Sequence, residues 1–234
     1  MMPLIQLSQV SVQRGAATVL QEASLTLAFG DRLAIIGPNG TGKTTLLRTI
    51  VGLERPTAGR VILFGHECRD EKAFRDYRPR IGFLFQDSDD QLFCPTVLQD
   101  VCFGPLNIGQ TETDAIEIAD KTLSDLGIGH LRDRVTTALS GGEKRLVCLA
   151  GLLAMQPDVL ILDEPTNGVD SENTARMRAA LAAFRGAMIL VSHDDNFIID
   201  QANRAMVLRN GTLTEAQIQT HPHLHSHPHV HPHT

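Results

Sequence analysis

What the chain lacks narrows its class before any motif is considered. It has no long apolar run: the longest, Leu146 to Met155, is about half the length that a bilayer-spanning helix needs. Its start, Met1-Met2-Pro3-Leu4, has no basic segment followed by an apolar stretch, so no secretory leader is read there and a soluble, non-exported chain is expected. Cys68, Cys94, Cys102 and Cys148 show neither paired spacing nor a C-x-x-C motif, which predicts reduced thiols and no disulfide frame or zinc site. An overall positive field is also absent. The net charge is −6 and the pI about 5.9, which argues against nucleic acid as a partner.

What is present is enough apolar material for one core: 42% hydrophobic residues in a chain of 234. Residues 4–27 alternate apolar and polar around Gly15, the pattern of a hairpin with one buried face. Strands are then expected over residues 31–36, 61–64, 81–85, 159–163 and 188–192, and helices over 44–51, 111–126, 143–155 and 171–184, with a last hairpin turning at Asn210-Gly211. This alternation predicts an α/β fold with a mainly parallel sheet. From His221 onward the chain alternates histidine with Pro, Leu, Ser and Val, a composition from which no core can be built, so residues 221–234 are expected to form a disordered tail.

Three segments carry recognisable chemistry. Gly37-Pro38-Asn39-Gly40-Thr41-Gly42-Lys43-Thr44 fits G-x-x-x-x-G-K-[ST] between a predicted strand and helix, the P-loop context. Its glycines let backbone N–H groups turn inward as an anion nest, and the helix N-terminus adds positive partial charge. Lys43 is expected to reach the β- and γ-phosphates, Thr44 to ligate Mg²⁺, and Thr45 to donate to a phosphate oxygen. The second segment, Val159-Leu160-Ile161-Leu162-Asp163-Glu164, is a buried strand ending in two acids. Successive strand residues face opposite ways, so Asp163 is assigned to Mg²⁺ and Glu164 to polarising the attacking water.

Leu139-Ser140-Gly141-Gly142-Glu143 is a second glycine-rich helix start able to accept a phosphate. Taken alone, Ser140 is an ordinary helix cap. One nucleotide needs only one P-loop, so two such elements are explained if each subunit's Ser140 and Gly142 complete the other's site in a head-to-tail pair.

Residues 37–45, Gln86, residues 139–143, Asp163-Glu164-Pro165-Thr166, Asp170 and His193 occur in the order of Walker A, Q-loop, signature, Walker B, D-loop and H-loop. In this the chain resembles the ABC ATPases from residue 4 to about 215. The resemblance implies an ABC-type P-loop fold: a mixed, mainly parallel sheet, an N-terminal antiparallel β subdomain and an inserted helical subdomain at about 88–155, all within a domain of residues 1–220. It implies ATP and Mg²⁺ as ligands, with Gln86 contacting Mg²⁺ and the attacking water, His193 sensing the γ-phosphate, and Asp170 at the dimer interface. Residues 85–93, Pro95-Thr96-Val97 and Phe103-Gly104-Pro105 further resemble the cobalt and nickel importers of the energy-coupling-factor class, the CbiO or NikO type.

That resemblance predicts a motor subunit at the cytoplasmic face of the cell membrane. It would work as a homodimer with a membrane-embedded coupling subunit, docked near residues 86–93, and a substrate-binding membrane component. Two alternatives stand beside it: import of another substrate such as a vitamin or amino acid, and a soluble non-transport ABC ATPase. Against the last, the chain has neither an inserted coiled coil nor a second cassette. Seven tail histidines, His221, His223, His225, His227, His229, His231 and His233, are candidate ligands for a transition metal, separate from the motor.

Two departures from the family pattern stand out. The first hairpin carries Val12-Gln13-Arg14 where an aromatic residue usually stacks on adenine, so the planar guanidinium of Arg14 is expected to take that place. Glu143 ends the signature where Gln is common, a change expected to be tolerated.

Overall fold

The computed structural model describes residues 2–86 and 91–218; the rest of the Q-loop segment and the histidine tail lie outside the described residues. In chain order the elements are β1 (Ile5–Arg14), β2 (Ala17–Leu27), β3 (Arg32–Ile36), α1 (Lys43–Ile50), β4 (Ala58–Leu63), β5 (His66–Glu67), α2 (Glu71–Tyr77), β6 (Ile81–Leu84) and α3 (Val97–Asn107). There follow α4 (Glu112–Asp125), α5 (Gly141–Ala154), β7 (Val159–Asp163), α6 (Ser171–Ala183), β8 (Ala187–Val191), α7 (Asp195–Gln201), β9 (Arg204–Arg209) and β10 (Thr212–Ala216).

The strands form two sheets. A four-stranded antiparallel sheet runs β2-β1-β4-β5, and a six-stranded sheet runs β10-β9-β3-β8-β7-β6. In the larger sheet β9, β3, β8, β7 and β6 are parallel, and β10 closes the edge as the antiparallel arm of the predicted Asn210-Gly211 hairpin. The expected fold class is therefore the one observed.

The larger sheet is buried on both faces, and its strands divide their side chains between two cores. Val159 and Ile161 of β7 and Ile189 and Val191 of β8 pack with β1, β2 and α1. Leu160 and Leu162, with Met188 and Leu190, pack on the other face among the helices. Strands flanked on both sides read as unbroken apolar runs, which is how β7 reads in the sequence. On the helical side, α4 buries Ala115, Ala119 and Leu123, one every turn, against α5.

Three helices were not expected: α2, α3 and α7. Two of them, α2 and α7, are two turns long and bury only Phe74, and Phe197, Ile198 and Gln201, too little to set a period. The third, α3, contains Gly104 and Pro105, residues that ordinarily mark a helix end, yet tertiary packing of Val97, Val101 and Cys102 keeps it helical.

Candidate nucleotide site

The site begins where β3 ends. Gly37 has φ 153°, and a Cβ there would lie 2.3 Å from the Leu208 carbonyl oxygen of β9, so only glycine lets the loop leave the sheet at this point. Gly42, at φ 100°, turns the chain into α1, whose first residue is Lys43. The loop is closed on itself: the Lys43 ammonium donates to the Gly37 and Pro38 carbonyls at 2.8 and 3.0 Å, and Thr41 Oγ1 donates to the Pro38 carbonyl at 2.9 Å. Backbone and one cation therefore define a pre-shaped anion site at a helix N-terminus.

The two acids at the end of β7 take different surroundings. Asp163 is 2% exposed and its Oδ2 accepts from Thr44 Oγ1 at 2.8 Å, which joins the strand end to the start of α1. Burial pushes its carboxyl above the usual range, opposed by the Thr44 hydrogen bond and by the charges of Lys43 and Arg145. Glu164 lies one residue on, at φ 50°, a left-handed conformation uncommon for a residue with a Cβ. It is held there by its amide, which donates to the Val191 carbonyl at 2.9 Å. Its Oε2 accepts from the His193 amide at 3.2 Å. Its Oε1 is buried, lies 3.3 Å from His193 Nε2 and makes no hydrogen bond.

These groups line one cleft of about 850 Å³. Asn39, Gly40, Gly42, Lys43, Thr44 and Thr45 contribute the loop, Asp163 and Glu164 the acids, and Gln86 and His193 line the cleft as well. Gly37, Pro38 and Thr41 shape the loop without lining the cleft. Arg14 also lines it, as does Val19, and its Nη2 donates at 2.6 Å to Glu54 Oε2, an acid the sequence reading did not single out.

Ser140, Gly141, Gly142 and Glu143 lie elsewhere; none of them lines this cleft. They form the capped start of α5: Glu143 N–H donates to Ser140 Oγ at 3.3 Å, and Ser140 N–H donates to Glu143 Oε2 at 2.7 Å. The Ser140 amide holds the Glu143 carboxyl below its ordinary range. A carboxylate at this position makes the box as Gln would, so the departure from the common signature costs no cap. Gly142 packs against the start of α6, where a Cβ would meet Asp170 Oδ2 at 2.9 Å and Asn173 Nδ2 at 3.0 Å. Asp170 itself caps α6, accepting from the Asn173 amide at 2.9 Å, and this holds its carboxyl low.

The sequence profile of the ABC transporter family matches residues 20–167. The chain belongs to the ABC transporter ATP-binding family. A protein of Brucella suis biovar 1 named as an ABC transporter ATP-binding protein is 56% identical over 221 residues, covering 94% of this chain and 92% of that protein. The cobalt import ATP-binding protein CbiO of Rhodobacter capsulatus is 44% identical over 201 residues, covering 84% of this chain and 72% of its own length. Among solved structures, cbiO1 from Clostridium perfringens, part of the transporter complex cbiONQ, superposes with a TM-score of 0.81 at 31% identity, over 92% of this chain and 88% of that one. This ABC subunit binds ATP and is an ATPase of a transporter. Among its described residues no helix is long and apolar enough to cross a membrane.

Around the Q-loop the ABC fold brings in residues that sequence reasoning missed. The side-chain amide of Gln91 closes the neck of the loop, donating to the Phe83 carbonyl and accepting from the Phe85 amide, both at 2.9 Å. Asp100 of α3 accepts from the Phe93 and Cys94 amides at 3.0 and 2.9 Å. Arg145 of α5, 3% exposed, reaches the carbonyls of Gln86, Asp163, Glu164 and Pro165. In the sequence it stands out only within Glu143-Lys144-Arg145, a stretch that resembles the cobalt and nickel importers.

Proposed function

We propose that this subunit is the ATP-driven motor of a cobalt or nickel importer, and that its chemistry is carried by the cleft between Lys43, Asp163, Glu164 and His193. The observation that supports the site assignment most directly is the convergence of loop, acids and histidine, distant in sequence, on one cleft. The loop amides from Asn39 to Thr45 and the Lys43 ammonium bind the phosphates. Lys43 exchanges carbonyl partners for phosphate oxygens, a step that swaps neutral acceptors for charged ones and so favours the bound state. Arg14, steadied by Glu54, offers its guanidinium plane to the adenine.

The paired oxygens of Thr44 and Asp163, 2.8 Å apart, with Gln86 lining the same cleft, make a hard donor set that suits Mg²⁺. When bound, the ion would neutralise phosphate charge. Glu164 polarises the water that attacks the γ-phosphate, and His193 holds that carboxylate, its amide donating to Oε2 at 3.2 Å and its ring Nε2 lying 3.3 Å from Oε1. The products are ADP and inorganic phosphate.

The exposed start of α5 serves the partner subunit's nucleotide in a head-to-tail homodimer, with Asp170 at the interface. Phe93 and Phe103 meet edge to face at 4.5 Å, and with Leu106 and Ile108 they are exposed at 40–63%. An apolar patch of this kind fits docking of a membrane-embedded coupling subunit at the cytoplasmic face, which would in turn work with a substrate-binding membrane component. The folded domain is taken as residues 1–220, with α3 to α5 as the helical subdomain, and the tail as a separate reversible binder of Ni²⁺ or Co²⁺.

Choice of a metal ion as cargo rests on similarity to the cobalt-import relative. Uptake of Co²⁺ and of Ni²⁺ by cells carrying the wild-type gene or Glu164→Gln tests it. Loss of uptake for one of the ions is expected; unchanged uptake of both, with ATPase activity abolished, would redirect the reading to a vitamin or amino acid. For the tail, calorimetry should show Ni²⁺ or Co²⁺ binding by the full chain and not by a chain ending at Thr220, with ATPase rates equal.

A further inference from the structure

Arg145 lies one turn inside α5, five residues after the signature serine, and points into the protein at the junction of three elements. Its Nε donates to the Pro165 carbonyl at 3.1 Å, its Nη2 to the carbonyls of Asp163 at 3.1 Å and Glu164 at 2.5 Å, and its Nη1 to the Gln86 carbonyl. A guanidinium that is 3% exposed has given up its water, and these oxygens replace it. They belong to the two segments that end β6 and β7, and they carry the side chains assigned above to the hydrolytic step. The planar fork fits this arrangement, because its donors diverge in fixed directions and can hold several carbonyls at once.

Glu164 needs such holding. Its φ of 50° is a conformation that a residue with a Cβ leaves unless its surroundings enforce it. Three bonds to its backbone enforce it: the amide to Val191 from one side, the carbonyl to Arg145 from the other, and the same carbonyl to the Asn167 amide at 3.2 Å. The second bond comes from the helix whose first turn is Ser140 to Glu143, and that turn is fixed to the rest of α5 by its capping box.

We propose that Arg145 is the positioning residue that ties the signature helix to the backbone of Gln86 and Glu164, so that the start of α5 and the hydrolytic carboxylate move as one unit. This rests on the reading of Glu164 and Gln86 given above. A shift of the Ser140 turn, when it meets a partner's nucleotide, is transmitted through Arg145 to the geometry of the subunit's own carboxylate. Arg145 does not line the cleft and acts through the residues that do.

The test is steady-state ATPase kinetics on Arg145→Lys, Arg145→Gln, Gln86→Ala and the double variant Arg145→Lys/Gln86→Ala, beside Glu164→Gln. Lysine keeps the charge and stem but replaces the fork by a point donor. The expected result is a fall in kcat of roughly ten- to a hundredfold with KM for ATP changed less than about threefold, the signature of lost positioning. The double variant should lose little more than the worse single one, since both act through one loop. A kcat within about twofold of wild type in Arg145→Lys, or losses that multiply in the double variant, would overturn the proposal. Normal turnover by Glu164→Gln would instead overturn the site reading, so the two failures are told apart.

Should neither Arg145 variant fold, hydrogen exchange on the wild-type monomer with and without ADP decides the matter. A protection change at residues 141–146, outside the cleft, accompanying one at 163–165 supports transmission; a change confined to the cleft refutes it.

Discussion

The loop around Lys43 and the turn around Ser140 are both glycine-rich helix starts, yet the protein treats them differently. At the first, the helix N-terminus opens into a cleft that the chain completes itself with Asp163, Glu164, Gln86 and His193. At the second, the helix N-terminus is satisfied locally by the Ser140–Glu143 box, and Ser140 and Gly141 remain exposed, away from that cleft. One helix start faces two acids and a histidine; the other is closed by its own cap and lines no part of that cleft. Two such half-sites on one chain make sense if a second copy brings the missing half, and the following experiments break or sharpen that contrast.

The largest effect should come from Glu164→Gln, which preserves shape but removes the group that polarises water. Turnover is expected to fall about 10²–10⁴-fold while ATP still binds, and the closed dimer should persist in size-exclusion chromatography with ATP and Mg²⁺. A variant that hydrolyses normally would remove Glu164 from its role. Ser140→Arg should abolish turnover just as fully by the opposite route, leaving nucleotide binding by the monomer intact. Mixed with Lys43→Ala chains it should recover part of the activity, because one of the two shared sites then carries both lesions and the other neither. No recovery would count against sites built from two chains.

Lys43→Ala should act on binding itself. Loss of one charge-assisted contact to phosphate, about 1.5–3 kcal/mol, predicts roughly ten- to a hundredfold weaker ATP binding by calorimetry. Unchanged affinity would contradict the phosphate role.

The smallest effect belongs to the signature cap. Glu143→Ala should cost about 0.3–1.5 kcal/mol of stability in urea unfolding. The Glu143 carboxyl is held low in the folded state by the Ser140 amide, so its contribution is present above the unfolded value and lost as pH falls through the folded one. The gap between wild type and variant should therefore narrow as pH drops below about 4.5. A gap that widens with acid would show that the box does not act through the carboxylate.

The legible parts of the site are those whose chemistry is local. A strand, a glycine loop and a helix must follow one another for the P-loop to work, so residues 37–45 announce themselves in order. The strand ending at Asp163-Glu164 is readable only with the P-loop upstream, because an apolar run that stops in two acids can also be a solvated strand end. Gln86 and His193 were reached only by resemblance, since a polar residue at a strand end carries no signal of its own. Helix α3 was missed although Thr96 and Gln99 form a capping box readable from their spacing; Gly104 and Pro105 outweighed it.

The sequence by itself determined the fold class, the phosphate loop, the acids and the exposed signature turn, because each depends on spacing within a few residues. Only the tertiary structure decided that Glu54 steadies Arg14, that Gln91 closes the Q-loop neck, and that Arg145 joins α5 to the backbone of Gln86 and Glu164. Those contacts link residues 40, 6 and 8, 59, and 19 positions apart. Most of them end on backbone groups, which every residue possesses, so nothing in the side-chain sequence marks them in advance.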